Sequence, residues 1–434
     1  MKSFIKGTYL KSAILLSAAG VICKILGALY RVPLTAVLGA EGLGIYQMAF
    51  PYYTALLTLS STGIPTALAK QIAEGKDPSL VLKRSLKLFG GVGALSATAT
   101  FFLAEYIAAA QGNIAAAGAF KALSPSLFFV SVLSCIRGYC LGFKNALPTA
   151  VTQITEQTIK LAAGLTLCTL LGSTPEEKAA IATFSVTISE AAAVIVALFF
   201  YGKARTPKIG ESVDMKSIIK VVFPITLSAV MIPLSRVADG FLVINLLSAD
   251  RARSTALYGI YSGAAESIVA MPVALCYAFA AAAVPEISSD KLNEKKRTDA
   301  VLYTLLISTA AAVIMYFAAS PAVDILYGGL SFPDRRILAL LIKISFGAVI
   351  GLSLVQTLGA TFFALDKYYL PPLFLGVGIA AKIALLVGLL PKIGIFACAI
   401  ADAAVYLFVG AAEFVYLFLL KGRSAVLLKS RTQA

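Results

Sequence analysis

The stretch from Ser17 to Leu38 reads SAAGVICKILGALYRVPLTAVL and is the strongest constraint on the chain. It is long enough to cross a bilayer as a helix, which takes about 20 largely apolar residues. Yet it carries two cations, Lys24 and Arg31, seven residues apart. Seven residues is about two helical turns, so both share one face with Ser17, Gly20 and Gly27. A cation at the centre of a lone transmembrane helix costs ~2.5–3.5 kcal/mol on insertion scales. Two on one face require that face to meet protein or water.

The rest of the chain has the same character. Of its 434 residues, 59% are hydrophobic and 14% charged, and the mean hydropathy is +0.87. A soluble domain is roughly half apolar and a quarter charged. The apolar runs are continuous and lack the roughly ten-residue alternation of outer-membrane strands, so the fold class is all-α integral membrane. Lys24 interrupts the first run and no small-residue cleavage site follows it, which reads as a retained span and not a signal peptide. The cysteines, at Cys23, Cys135, Cys140, Cys168, Cys276 and Cys398, form no CxxC pair. They read as free thiols, with neither a disulfide framework nor a zinc site. The absence of histidine excludes a His-based metal site or proton relay. Any proton coupling falls to carboxylates or lysine. With no phosphate-binding glycine loop and no triad candidate, no catalytic residue, metal or cofactor is expected.

Apolar runs bounded by charges and turn residues give about twelve spans. They are 11–34, 42–66, 85–109, 121–143, 147–171 and 178–201, then 217–247, 254–284, 299–320, 337–365, 369–390 and 394–420. Lys and Arg of the connections favour one side by 23 to 7. By the positive-inside rule both termini are cytoplasmic. The net charge of +15 therefore follows topology and does not point to nucleic acid. The polar, basic segment 203–216 reads as a linker between an N-terminal six-helix lobe, 1–207, and a C-terminal one, 208–434. Gly44-Ile45-Tyr46 and Gly259-Ile260-Tyr261 stand at an offset of 215 residues, which also carries Lys24 onto Asp239. A parallel repeat about an axis along the membrane normal is the pattern expected of two lobes around a central cleft.

Ionisable residues inside the spans carry the chemistry. The fifth span, PTAVTQITEQTIKLAAG, sets Thr149, Gln153, Glu156, Gln157 and Lys160 on one face, with Glu156 and Lys160 spaced to pair. Hydrogen-bonding glue between helices is the structural alternative. Arg236 and Asp239 lie three apart in the seventh span, as an ion pair or a functional site. Glu266 shares a stripe with Tyr258 and Ser262 in the eighth. Asp402 and Glu413 of the twelfth span could pair with Lys382. Arg137, Arg31 and Lys343 lie nearer span ends, where snorkelling is an alternative. The first span holds cations and no carboxylate, which points to an anionic ligand there; Lys and Arg can replace the hydration of phosphate oxygens.

The run KILGALYRVPLTAVLGAEGLGIYQMAFPYYTALLTLSSTGIPTALAKQIAE (24–74) and the run IRGYCLGFKNALPTAVTQITEQTIK (136–160) resemble the stage V sporulation protein B family of polysaccharide-type exporters. The seventh span with Asp239 fits as well. That family is part of the multidrug/oligosaccharidyl-lipid/polysaccharide (MOP) exporter superfamily, with the lipid II flippases and the multidrug (MATE) transporters. The resemblance implies two six-helix lobes and a flippase of the cell membrane. Its cargo would be an undecaprenyl-diphosphate-linked glycan, such as a peptidoglycan precursor for the spore envelope, moved by alternating access. It implies substrate contacts at Lys24 and Arg31; Arg236 and Lys160, with Gln153 and Glu156 beside them, are read here as further contacts. Asp239 and Glu266 become the candidates for coupling to Na+, H+ or the membrane potential. Many relatives have fourteen helices, the last two helping to form a lipid-tail groove, whereas about twelve are read here. Partners on this reading are the lipid-linked glycan, membrane lipids and envelope-synthesis proteins, and no nucleic acid. An ion-coupled multidrug antiporter of the same fold, or a non-transporting membrane scaffold for envelope synthesis, are the rival readings.

Overall fold

The computed structural model describes residues 2–61, 63–201, 215–276, 294–365, 367 and 369–432. The segment 202–214, which holds most of the expected linker and the lobe boundary at 207/208, lies outside the described residues. Every described element is a helix or a connection, as expected where lipid offers backbone groups no partners. The helices are α1 (Lys2–Ser61), α2 (Ile64–Ala73), α3 (Pro78–Ala110), α4 (Ile114–Gly142), α5 (Leu147–Leu171) and α6 (Pro175–Tyr201). Then follow α7 (Met215–Leu246), α8 (Arg251–Cys276), α9 (Glu294–Leu326), α10 (Phe332–Ile344), α11 (Phe346–Ala364), α12 (Leu370–Ile393) and α13 (Phe396–Thr432).

Among the described residues, ten stretches are long and apolar enough to cross a membrane. One of them, Ala18–Ala73, has 56 residues. At about 1.5 Å per residue it is far longer than a hydrocarbon core of about 30 Å, so it supplies two crossings. The 25-residue α5 is outside the ten, although its length also suits a crossing. Its run of Thr, Gln, Glu and Lys lowers its hydropathy.

The first two spans are expected as separate helices, 11–34 and 42–66, and α1 is indeed two helices joined across a kink between them. It turns at Gly39, whose φ of 65° and ψ of −176° are open to glycine and strained for other residues. Elsewhere the boundaries follow local chemistry. Asp77 accepts from the amides of Ser79 and Leu80 at 2.9 and 3.3 Å, with Pro78 in the first turn, and so starts α3. Asp250 caps α8 through the amide of Arg253 at 3.1 Å. Pro148 stands in the first turn of α5, and Asn145 Oδ1 accepts from the Leu147 amide at 3.2 Å. Gly394, at φ 65°, ends α12.

The chain forms two compact units, residues 1–263 with 327–331, and residues 264–326 with 332–434. In unit 1 the core joins α2, α3, α4, α6 and α7 through Ile64, Leu68, Val81, Tyr139, Ala193 and Ile218. Small residues let its helices approach closely, as membrane packing requires. A Cβ on Gly138 would stand 2.8 Å from Cα of Pro65. One on Gly44 would overlap the Thr255 carbonyl, and one on Gly259 would overlap the Gly44 backbone. The two Gly-Ile-Tyr motifs thus lie against each other where α1 meets α8. Asn113 braces the same junction by donating to Thr255 Oγ1 at 2.9 Å. Segment 327–331 belongs here because Gly329 packs on Ala36. In unit 2, Val301, Leu358 and Phe362 form one core cluster and Val269, Ala312 and Val349 another.

Candidate functional site: a buried charge cluster in unit 1

The polar face of α5 is turned into unit 1, between α1, α4 and α6. Thr152 and Glu156 are one turn apart, and the Arg137 guanidinium of α4 spans them. Its Nε donates to Thr152 Oγ1 at 2.9 Å and its Nη2 to Glu156 Oε1 at 2.5 Å. Both side chains of the ion pair are about seven-eighths buried. Glu156 thus forms its ion pair between helices, with Lys160 still within electrostatic reach of it, and Arg137 does not snorkel. A fork donor matches a carboxylate plus a hydroxyl better than a single ammonium can.

Lys160 instead lies 5.8 Å from the ring centroid of Tyr30 on α1. Gly164, one turn on, lets Tyr30 approach: a Cβ there would stand 2.5 Å from the phenol oxygen. The Tyr30 hydroxyl is 3.4 Å from Ser185 Oγ on α6. Farther along α1, past the Gly39 turn, Tyr53 donates to Glu190 Oε1 of α6 at 3.1 Å. Glu190 Oε2 is buried without a partner among the described residues. Lys160 stands within electrostatic reach of Arg31, Glu156 and Glu190. Counted in their ordinary ionised forms, these groups with Arg137 make three cations against two carboxylates.

The two cations of the first span are placed differently. Arg31 is half-buried, donates from Nη1 to the Gly263 carbonyl at 3.5 Å and lies 5.9 Å from the centroid of Phe50. Gly263 belongs to the π-helical turn Gly259–Ala265, whose longer repeat leaves carbonyls open to other donors. Lys24 is exposed. One turn along from it, a Cβ on Gly27 would stand 4.0 Å from Gln157 Oε1, so Lys24 borders the α5 polar face. Gln153 is half-buried on that face.

Asp239 on α7 is 1% exposed and Arg236 half-buried. Tyr258 donates to the Arg236 carbonyl at 3.1 Å, fastening α8 to α7. Glu266, half-buried, lies in unit 2. That unit pairs Lys382 with Asp402 at 2.5 Å, whereas Glu413 stays apart from the pair. Glu190, Tyr53 and Tyr30 were missed as site residues. An intramembrane carboxylate in the sixth span was the available signal for the first, while the tyrosines gave none. A groove of ≈ 440 Å³ lined by Ala94, Thr98, Phe101, Phe128 and Phe129 lies between α3 and α4. It contains no charged residue, so the cluster is the stronger candidate. Among the described residues no three His, Cys, Asp or Glu side chains are grouped to hold a metal.

The fold is similar to that of solved transporters of the MOP superfamily. It superposes with a TM-score of 0.76 on an inward-facing multidrug resistance MATE family transporter, at 14% identity over 95% of this chain and 96% of that one. It matches the lipid II flippase MurJ, in an inward closed conformation, at the same TM-score, with 17% identity over 93% and 87%. The polysaccharide biosynthesis protein model matches residues 9–290, more than half of the chain, and the chain belongs to that family. Among curated relatives, stage V sporulation protein B of Bacillus subtilis is 26% identical, covering 74% of this chain and 67% of the relative. The lipid II flippase MurJ of the same organism is 22% identical, covering 96% and 83%. The chain is a multi-pass membrane protein of a transporter superfamily and not an enzyme.

Proposed function

We propose that the chain moves a lipid-linked glycan across the cell membrane by alternating access, with both termini cytoplasmic. The halves that rock would be residues 1–207 and 208–434. The observation that carries the anionic cargo is the charge balance of the cluster around α5, three cations to two carboxylates, with Lys24 at its rim. Arg31, Arg236 and Lys160, with Gln153 beside them, would help Lys24 replace water around a diphosphate. Glu156 serves to orient Arg137. Asp239 and Glu266 would couple the movement to an ion or to the membrane potential. One elementary charge crossing 100 mV is worth about 2.3 kcal/mol. The family and the names of its curated relatives support this cargo.

Fold likeness favours a second reading, an ion-coupled multidrug antiporter. The MATE transporters with this fold have been solved in inward- and outward-facing conformations. The buried carboxylates Glu190 and Asp239 would suit cation exchange. Proteoliposomes holding the native protein separate the readings. The proposal predicts movement of a fluorescent undecaprenyl-diphosphate-linked sugar and no ion-driven efflux of cationic dyes. Dye efflux with no lipid movement would establish the antiporter, and neither would establish a scaffold.

A further inference from the structure

Unit 2 holds a carboxylate that the transport reading leaves unused. Glu413 on α13 is 0% exposed, and neither Oε1 nor Oε2 has a hydrogen-bond partner among the described residues. Three neighbouring helices fix its place. α13 presents Val405 and Val409 to Gly378 of α12, and Tyr416 to Phe374. Glu413 lies on that stripe, one turn beyond Val409. On its other flank Gly410 meets Leu354 of α11, which sets Glu413 level with Thr357 and Leu358. The surroundings are apolar, with Val301, Leu358 and Phe362 buried and Tyr416 and Leu417 against them.

The nearby hydroxyls are already engaged. Thr304 and Thr357 share a hydrogen bond at 2.9 Å, and Thr361 donates to the Thr357 carbonyl at 2.9 Å. Among the described residues, no charge from the packed helices pairs with Glu413. α11 carries no ionisable residue. On α12, Lys382 is held by Asp402 at 2.5 Å, and Lys392 stands at the far end. α9 has its charges at its start, residues 294–299, and at Asp324 near its end. α13 itself adds Asp402, Tyr406, Tyr416 and a basic tail from Lys421. A carboxylate ionised here loses its hydration with nothing in return, whereas a neutral acid does not. A metal cation would need several oxygen ligands, and the neighbouring side chains do not offer them.

We propose that Glu413 is a proton-binding site. The carboxylate takes a proton from water to become a neutral acid within the core of α9, α11, α12 and α13, and returns it to water when that core opens. The site deepens the transport reading by giving unit 2 a coupling group besides Glu266, but proton binding itself needs no cargo and is measured without it. Infrared spectra of the native protein in lipid nanodiscs, against E413Q and E413D, read the acid directly. The expected result is a C=O stretch of a protonated carboxylic acid at neutral pH that shifts on exchange into D2O. It should be absent from E413Q, displaced in E413D and lost as the pH is raised. The Asp variant keeps the test open if the Gln variant fails to insert. Identical spectra in all three proteins would overturn the proposal. So would a band that neither titrates nor exchanges, which would mark a sealed structural acid.

Discussion

Unit 1 and unit 2 bury carboxylates in opposite ways. In unit 1, Glu156 has the Arg137 fork and Glu190 has the Tyr53 hydroxyl, so each acid is tied to a neighbouring helix. In unit 2, Asp402 is matched by Lys382, yet Glu413, little more than three turns away, has no hydrogen-bond partner among the described residues. The contrast separates two uses of a buried acid. A tied acid fixes the rotation of its helix, because removing the donor strands a charge. An untied one is stable only as its neutral form, which makes its proton the exchangeable part.

The largest effect should follow from breaking the tightest pair. Lys382 is 2% exposed and Asp402 6%. K382A leaves the Asp402 charge uncompensated and should cost about 3–5 kcal/mol. Thermal unfolding of the solubilised protein should show a large fall in midpoint, with much of the loss recovered in K382M/D402L. R137A should cost less, about 2 kcal/mol, because Glu156 stays partly accessible and Lys160 remains within electrostatic reach. The same melting assay checks it, and R137K should fall between variant and native because one ammonium cannot span Thr152 and Glu156. Y53F sharpens the contrast most, since it leaves Glu190 without its hydrogen-bond donor and with the more distant charge of Lys160. Loss of one hydrogen bond of this kind costs about 1 kcal/mol. The same infrared measurement should then show an additional neutral acid in unit 1.

Much of the fold could be read from hydropathy and turn chemistry. α5 was placed at 147–171 and forms over Leu147–Leu171, because Pro148 and Gly172 punctuate both ends. The break between the first two spans was legible as well, since Gly39, whose positive φ ends one helix before the next begins, lies in the gap between 34 and 42. Partners were the harder part. Glu156 has Lys160 four residues away in sequence, whereas its real partner is 19 residues back on another helix. Helix rotation decides between them, and periodicity within one span cannot give the rotation of its neighbour. Tyr53 and Glu190 are separated by 137 residues and share no local pattern. The Gly-Ile-Tyr repeat was visible as spacing, while the close approach of Gly44 and Gly259 was not, because spacing along the chain does not report which helices meet.

The central claim is that cations on α1 and α5 handle an anionic, lipid-linked cargo. Its most direct test is the rate at which proteoliposomes flip undecaprenyl-diphosphate-linked sugar with Lys24→Ala, at matched protein levels. Loss of a charge-assisted contact worth about 1.5–3 kcal/mol predicts a rate lower by at least about tenfold, with Lys24→Arg close to native. A rate for Lys24→Ala equal to that of the native protein would contradict the account.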